Sequence, residues 1–154
     1  MRKGSELFER KVLIVDDEEI NRQILGNIIE SEYKVDYAKD GKEALEKIHD
    51  RSSGISLVML DLLMPQVSGF DVLKQMNEEG LASEIPVIVL TSEKESEVES
   101  LKLGAADFLT KPYDRPEVIL ARVSHAIELF ENSRIINATE FDKLTTLYTP
   151  EFFF

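Results

Sequence analysis

The chain has 154 residues, of which 43% are hydrophobic and 31% are charged, a composition typical of one soluble globular domain and not of a disordered chain. Its 30 Asp and Glu residues outnumber 18 Lys and Arg, and the net charge of −12 argues against direct binding of this segment to nucleic acid or an anionic membrane. The lack of cysteine excludes disulfides and thiolate zinc sites. No membrane-length apolar run or secretory signal is present, so we expect a cytoplasmic location.

Apolar, β-branched runs alternate along the chain with segments of helical periodicity. The predicted strands cover residues 11–16, 33–38, 56–61, 85–91 and 107–110. The predicted helices cover residues 20–29, 44–48, 70–76 and 96–103, and a last helix begins at 114 with Pro116 in its first turn. In the first helix, the spacing places on one face Ile20, Ile24, Leu25, Ile28 and Ile29.

This alternation predicts an α/β fold with parallel strands, right-handed crossovers and helices on both faces of the sheet. Strand runs that are apolar throughout support the same conclusion, because both faces of a parallel sheet are buried. We assign residues 11–130 to this domain, 1–10 to an N-terminal tail, and 131–154 to a segment that does not follow the alternation.

Polar side chains stand where four of the predicted strands end. The first strand ends at Asp16 and Asp17, the third at Asp61, the fourth at Thr91, and the fifth leads to Lys111. Ligands of open α/β sheets bind beyond these carboxyl ends, so we expect the five side chains to form one cluster.

The composition of this cluster indicates a particular chemistry. Three carboxylates repel one another unless a cation lies between them, and an oxygen-only set suits Mg²⁺. A lysine supplies positive charge to a phosphoryl group, and a carboxylate can itself attack phosphorus. Asp17 alone would more often be a helix cap and Lys111 alone a solvated side chain. Their joint placement predicts an aspartate that becomes phosphorylated with Mg²⁺.

Four motifs at these strand ends support a family resemblance. They are Val15-Asp16-Asp17-Glu18, the stretch from Met59 to Pro65 followed by Gly69, Val89-Leu90-Thr91-Ser92, and the stretch from Gly104 to Pro112. In order and spacing they resemble the receiver domain of two-component response regulators over about residues 10–130. The resemblance implies a flavodoxin-like, doubly wound sheet of five parallel strands in the order 2-1-3-4-5. It also implies a signalling protein that is no enzyme beyond its own phosphorylation and dephosphorylation.

The resemblance further implies a role for each residue of the cluster. Asp61 would accept a phosphoryl group from a histidine kinase or a histidine phosphotransfer protein. Asp17 and Asp61 would bind Mg²⁺ directly, Asp16 would bind it through a water, and the backbone carbonyl of Leu63 would be a further ligand. Lys111 would pair with the phosphoryl group, and the peptide bond that follows it, to proline, would be cis.

Thr91 and Phe108 match the pair of residues that switches conformation in this family. The family more often has Tyr in place of Phe108, so the part of the switch that needs a hydroxyl is missing here. The surface expected to change comprises the fourth helix, fifth strand and fifth helix, through which many receivers form homodimers. Leu63 offers no polar side chain over the phosphoryl group, so the dephosphorylation rate of relatives cannot be transferred.

Residues 141–148 are similar to the opening of diguanylate cyclase (GGDEF) domains, although Thr146 stands where glycine is usual. The chain ends on Phe152, Phe153 and Phe154, an apolar group that we expect to belong to a following domain. We therefore expect a receiver cut from a longer regulator, with residues 131–141 as a helical linker. The alternatives are a stand-alone receiver and a phosphorelay intermediate.

Two other classes of protein compete with this interpretation. A haloacid-dehalogenase-type phosphatase also uses an aspartyl nucleophile, but it requires a second Asp where this chain has Leu63. A flavin-binding, flavodoxin-like module shares the fold, but its first loop is rich in Ser, Thr and Gly. Here that loop contains Asp16, Asp17, Glu18 and Glu19, which would repel a phosphate.

Overall fold

A computed structural model of the chain describes residues 10–64, 66–92, 94–113 and 115–144, and gives only the backbone of residues 51, 94–97 and 133–144. Most of the predicted N-terminal tail, the terminal phenylalanines and the second half of the GGDEF-like segment lie outside these residues. No helix within the described ranges has both the length and the apolar character that crossing a membrane requires.

The described residues form five strands that alternate with five helices. The strands are β1 (Lys11–Val15), β2 (Lys34–Ala38), β3 (Ile55–Asp61), β4 (Val87–Thr91) and β5 (Asp107–Thr110). The helices are α1 (Glu19–Ile29), α2 (Gly41–His49), α3 (Gly69–Glu78), α4 (Lys94–Lys102) and α5 (Pro116–Leu144). All neighbouring strands are parallel, and their order is β2-β1-β3-β4-β5. The predicted α/β fold and strand order are confirmed.

Two apolar layers cover the two faces of the sheet, because successive side chains of a strand point to opposite sides. In β1, Leu13 and Val15 join the layer beneath α2 and α3, whereas Val12 and Ile14 join the layer beneath α1 and α5. Strands β3 and β4 divide their side chains between the same two layers. The central strands are therefore fully buried, as their continuous apolar runs predict.

Some boundaries differ from those the sequence predicts. Strand β4 begins at Val87 and not at 85, because the Ile85 amide donates to the Leu81 carbonyl (2.8 Å) in a preceding 3₁₀ turn. In α1, Leu25 and Ile29 are buried, but Ile20 and Ile24 are 67% and 45% exposed. The one-face prediction is therefore wrong for Ile20 and Ile24 and confirmed for Leu25, Ile28 and Ile29, because the buried row of α1 runs through Leu25, Gly26 and Ile29.

Helix α5 is the longest element, with 29 residues from Pro116 to Leu144. Its first four turns pack on the sheet through Ile119, Val123 and Ile127, which are nearly fully buried. Glu131 of this helix forms an ion pair, 2.7 Å long, with Arg10, the residue before β1. The backbone continues as helix past residue 130, where we placed the end of the domain.

Candidate functional site

The carboxyl ends of the parallel strands bring the predicted side chains to one edge of the sheet. Asp16 follows β1, Asp61 ends β3, and Thr91 ends β4. One carboxylate oxygen from each of Asp16, Asp17 and Asp61 lies within 4.8 Å of the other two. The Lys111 ammonium lies 3.2 Å from Asp61 and 3.6 Å from Asp16. The five residues are therefore one cluster, as the strand ends predict.

Asp16 is fully buried and is held in place through its backbone and one carboxylate oxygen. Its amide donates to the Ala38 carbonyl (3.1 Å), and its own carbonyl accepts from Arg22 Nη1 (2.6 Å). Its Oδ1 accepts from the Glu18 amide at 3.0 Å. Oδ2 is buried without a hydrogen-bond partner among the described residues. This oxygen is therefore left to face the cluster.

Asp61 and Lys111 form the contact at the centre of the cluster. Lys111 Nζ and the Leu63 amide both donate to Asp61 Oδ1, at 3.2 and 3.3 Å. The Lys111 backbone is tied to β4, because its amide donates to the Thr91 carbonyl at 2.8 Å. The Lys111–Pro112 peptide bond is cis, as the resemblance implies. The side chain of Lys111 is 26% exposed and that of Asp61 is 5% exposed, so the ammonium group lies between the buried carboxylate and the solvent.

The ionisation of Asp61 is perturbed by this environment. Burial is the largest influence and the Asp16 carboxylate the next, and together they raise the pKa of Asp61 to about 6. The Lys111 ammonium and the Leu63 amide oppose this rise. Burial and Asp16 together outweigh the effect of Lys111 and the Leu63 amide on the pKa of Asp61. One lysine therefore does not neutralise the buried acids, and the cluster favours additional positive charge.

A cavity of about 140 Å³ opens beside these carboxylates, large enough for a hydrated ion or a phosphoryl group. Among the residues that line it are Asp17, Asp61, Thr91 and Lys111. The donors are oxygens, with no imidazole or thiolate among the described residues that line the cavity. An oxygen-only set with an unpartnered, buried carboxylate oxygen fits a hard cation such as Mg²⁺.

The loop after β3 approaches the site closely because Gly69 has no side chain. A Cβ atom at this position would overlap the Asp61 carbonyl oxygen and lie 2.6 Å from Leu62 Cα. The Gly69 amide donates to the Leu62 carbonyl at 3.0 Å, and helix α3 begins here with a capping box between Ser68 and Asp71. The glycine that follows the second of the four motifs is thus needed for close packing against the backbone of Asp61.

The predicted switch pair lies on the two neighbouring strands β4 and β5. Thr91 is 2% exposed and lines the cavity. Phe108 is half-buried and packs against the apolar layer beneath α2 and α3, opposite Val89 in the strand register. Leu63 is 55% exposed at the rim of the cavity. Thr91 therefore borders the cavity, and Phe108 lies on the neighbouring strand in the adjoining apolar layer.

The sequence alone did not single out two residues that contact or approach this cluster. Arg22 binds the Asp16 carbonyl from one turn inside α1. Tyr113 directly follows the cis proline, and its hydroxyl is buried near the acids. The sequence signals for them are an arginine six residues after Asp16 and a tyrosine two residues after Lys111, and both signals are weak without coordinates.

Comparison with known proteins gives one family for most of the chain. Residues 12–124 match the family described as the response regulator receiver domain. The chain is 43% identical over 105 residues to response regulator RR06 of Streptococcus pneumoniae, an overlap of 66% of this chain and 46% of RR06. It spans about half the length of most of the curated relatives that it matches.

Solved structures show the same similarity. The Vibrio cholerae chemotaxis protein CheY4 is 30% identical with a TM-score of 0.68, and the match covers 77% of this chain and 98% of CheY4. A structure named as a two-component system response regulator/GGDEF domain protein is 28% identical with a TM-score of 0.75. That match covers 82% of this chain and 52% of the other.

Proposed function

The chain belongs to the response regulator receiver domains, and from this premise we propose that Asp61 accepts a phosphoryl group from a phosphohistidine in a reaction that depends on Mg²⁺. The observation that carries the proposal is the cluster itself. Three carboxylates within 4.8 Å and a lysine 3.2 Å from Asp61 stand around one cavity. Response regulators receive signals from histidine kinases and phosphotransfer proteins, and we assign that class of donor here.

Asp61 is the nucleophile in this proposal. Both hydrogen bonds that described residues donate to its carboxylate reach Oδ1, so we assign Oδ2 as the attacking oxygen. An oxygen–phosphorus bond forms, the phosphorus–nitrogen bond of the donor breaks, and its electron pair stays on the imidazole nitrogen. Lys111, at the mouth of the cavity, stabilises the charge on the phosphoryl oxygens. Thr91 can donate its hydroxyl to the same oxygens.

The metal ligands follow from the same cluster. We assign Asp17 and Asp61 as direct ligands of Mg²⁺, Asp16 as a ligand through water, and the Leu63 carbonyl as a further ligand. Bound Mg²⁺ would supply the positive charge that lets carboxylate and phosphoryl oxygens approach one another. Arg22 and the Glu18 amide fix Asp16 in the orientation that this role needs. Two observations support a bound cation: Asp16 Oδ2 has no hydrogen-bond partner among the described residues, and the pKa of Asp61 is raised to about 6.

Phosphorylation would be transmitted through Thr91 and Phe108 to the face formed by α4, β5 and α5. The added charge of about −1.5 to −2 draws the Thr91 hydroxyl inward, and the Phe108 ring follows into the vacated space. We propose that this face forms a homodimer. On it, Arg122 Nη1 donates to both carboxylate oxygens of Asp107 at 3.0 Å. A change in β5 would reach this ion pair directly.

We propose that the receiver controls an output domain, and that this domain is a diguanylate cyclase. The GGDEF-like residues from 141 onwards and the continuous helix α5 to Leu144 support this, as does the similarity to a response regulator/GGDEF protein. A stand-alone receiver and a phosphorelay intermediate are the alternatives. Sequencing the coding region after Phe154 distinguishes these hypotheses. A continuing reading frame that encodes a GGDEF domain would support the cyclase, and a stop codon at once would contradict it.

Incubation with acetyl phosphate and Mg²⁺, followed by intact-mass measurement, tests the phosphoacceptor function. We expect one phosphoryl adduct in the native protein and none in Asp61→Asn. Asp71→Asn is a matched control, because the Asp71 carboxylate lies outside the cluster, where it accepts from the Ser68 amide in the capping box of α3, and an asparagine side-chain oxygen can accept the same hydrogen bond. An adduct that persists in Asp61→Asn, or none in the native protein, would contradict the proposal.

A further inference from the structure

Strand β2 is an outer strand of the sheet, with β1 as its one neighbour in the described part of the chain. On that side, the Lys34 amide donates to the Arg10 carbonyl (3.0 Å), and the Ala38 carbonyl accepts from the Asp16 amide (3.1 Å). Alternate residues of a parallel strand direct their backbone groups to opposite sides, so the even-numbered residues of β2 face β1 and Tyr37 faces the open side. An outward row of backbone groups is a template for a strand of another chain.

Both backbone groups of Tyr37 are occupied by side chains on this open side. Its amide donates to Asp36 Oδ1 at 2.8 Å, and its carbonyl accepts from Lys47 Nζ at 2.6 Å. Lys47, in the last turn of α2, also places Nζ 2.9 Å from Asp36 Oδ1. These contacts close a ring around the backbone of Tyr37, and we call Asp36 and Lys47 the edge cap.

The edge cap is supported by a second carboxylate just past the end of β2. The Lys39 amide donates to Glu43 Oε1 at 2.9 Å, and Glu43 Oε2 lies 3.8 Å from Lys47 Nζ. The side chains of Asp36 and Lys47 are about two-thirds buried. A strand that paired with this edge would have to separate and desolvate these charges.

The other outer strand, β5, carries a similar arrangement. The Phe108 amide donates to Asp107 Oδ1 at 2.8 Å, and Arg122 of α5 donates to both carboxylate oxygens of Asp107 at 3.0 Å. In each outer strand, an aspartate accepts from the amide of the aromatic residue that follows it, and a cation from a helix binds the aspartate. The arrangement at β2 is therefore repeated at the other edge of the sheet.

We propose that the edge cap closes β2 to strand addition, so that two copies of this chain do not join their sheets through this edge. The inference does not depend on the proposed phosphoacceptor function. The occupant that the cap excludes is β2 of a second copy, because the same strand, turned by a twofold axis, presents a matching row of backbone groups. In the register that pairs Val35 with Tyr37 of the second copy, the two Asp36 carboxylates would also stand opposite each other and repel.

The double substitution Asp36→Ala and Lys47→Met removes the cap without changing the net charge. In sedimentation velocity of the unphosphorylated protein, its dimer dissociation constant should lie about tenfold below that of the native protein, because backbone groups become available for interstrand hydrogen bonds. The Val35 amide should exchange more slowly as the concentration of this variant rises.

Arg10→Met with Glu131→Ala is the matched control, because it removes an ion pair between α5 and the residue before β1 and leaves the cap in place. We expect this control to associate like the native protein. A double variant of the cap that associates no more than this control, or that associates without slower exchange at Val35, would overturn the proposal.

Amide hydrogen exchange in dilute protein tests the contact itself, and it uses single variants in case the double variant does not fold. In Asp36→Ala, the Tyr37 amide should exchange about fivefold faster relative to the amides of β1, the effect of losing one hydrogen bond of ordinary strength. Asp36→Asn keeps an oxygen that can accept from this amide, so its exchange should stay close to that of the native protein. Equal exchange of Tyr37 in Asp36→Ala and Asp36→Asn would overturn the proposal.

Discussion

Asp61→Asn is expected to stabilise the metal-free protein at neutral pH, although it removes the proposed acceptor. The native carboxylate is 5% exposed and lies beside a second buried acid, Asp16. These surroundings favour the protonated form, so ionisation of Asp61 opposes folding. Asparagine has nearly the same shape and carries no charge, and it avoids this cost.

The magnitude follows from the pKa of Asp61, which rises from an ordinary 3.8 to about 6. Each pH unit of difference between the folded and unfolded states corresponds to about 1.4 kcal/mol, so the full effect is about 3 kcal/mol. The folded state binds this proton more tightly than the unfolded state, so stability falls as pH rises from about 4 to about 6 and then stays level. The advantage of Asp61→Asn should therefore grow from near zero at pH 4 to its maximum above pH 6.

Urea unfolding with a chelator between pH 4 and 8 measures this difference, because all other titrating groups are common to both proteins. Asp36→Asn is a control of opposite sign. Burial alone would raise the pKa of Asp36, but the hydrogen bond from Lys47 outweighs it and lowers this pKa, so Asp36→Asn should destabilise the protein at neutral pH, where Asp61→Asn stabilises it.

Mg²⁺ should reduce the difference in unfolding free energy between Asp61→Asn and the native protein at pH 8, because it binds the native carboxylate more tightly than the asparagine side chain. At about ten times the dissociation constant, the native protein gains about 1.4 kcal/mol. A difference between the proteins that does not change with pH, or an Asp61→Asn protein that is less stable at pH 8, would refute the claim that a buried, ionised Asp61 destabilises the fold.

Three further substitutions test other parts of the structure. Gly69→Ala should cost about 2 kcal/mol in urea unfolding, because its Cβ would overlap the Asp61 carbonyl oxygen; a neutral effect would show that the loop can move away. Lys111→Met should slow adduct formation with acetyl phosphate about 100-fold while Mg²⁺ binding persists, and an unchanged rate would remove Lys111 from the reaction. Gln66→Gly should raise the unfolding free energy by about 1 kcal/mol, since Gln66 has φ 64°; a lower value would contradict strain there.

The sequence predicts the sheet and the composition of the cluster well, for a physical reason. Strand β3 is a continuous apolar run that ends on Asp61, and β4 is one that ends on Thr91. A charged or hydroxyl-bearing residue at the end of such a run must stand at the edge of a parallel sheet. The topology then brings Asp16 and Lys111 to the same place. The chemical roles of these residues remain predictions.

Other features depend on three-dimensional packing that spacing does not encode. Ile20 and Ile24 repeat with helical period, but the sheet contacts a neighbouring row of α1, so both side chains are exposed. The contact of Arg22 with the Asp16 carbonyl depends on the angle at which α1 leaves β1. Tyr113 follows the cis proline and packs against the apolar layer beneath α1 and α5, a placement that its position in the sequence does not reveal.

The most direct test of the phosphoacceptor assignment is to locate the phosphoryl group on the chain. The protein is treated with acetyl phosphate and Mg²⁺, the acyl phosphate is reduced with borohydride to homoserine, and the peptides are sequenced by mass spectrometry. We predict homoserine in place of Asp61 and aspartate at positions 16 and 17. Homoserine at another position, or at none, would contradict the assignment.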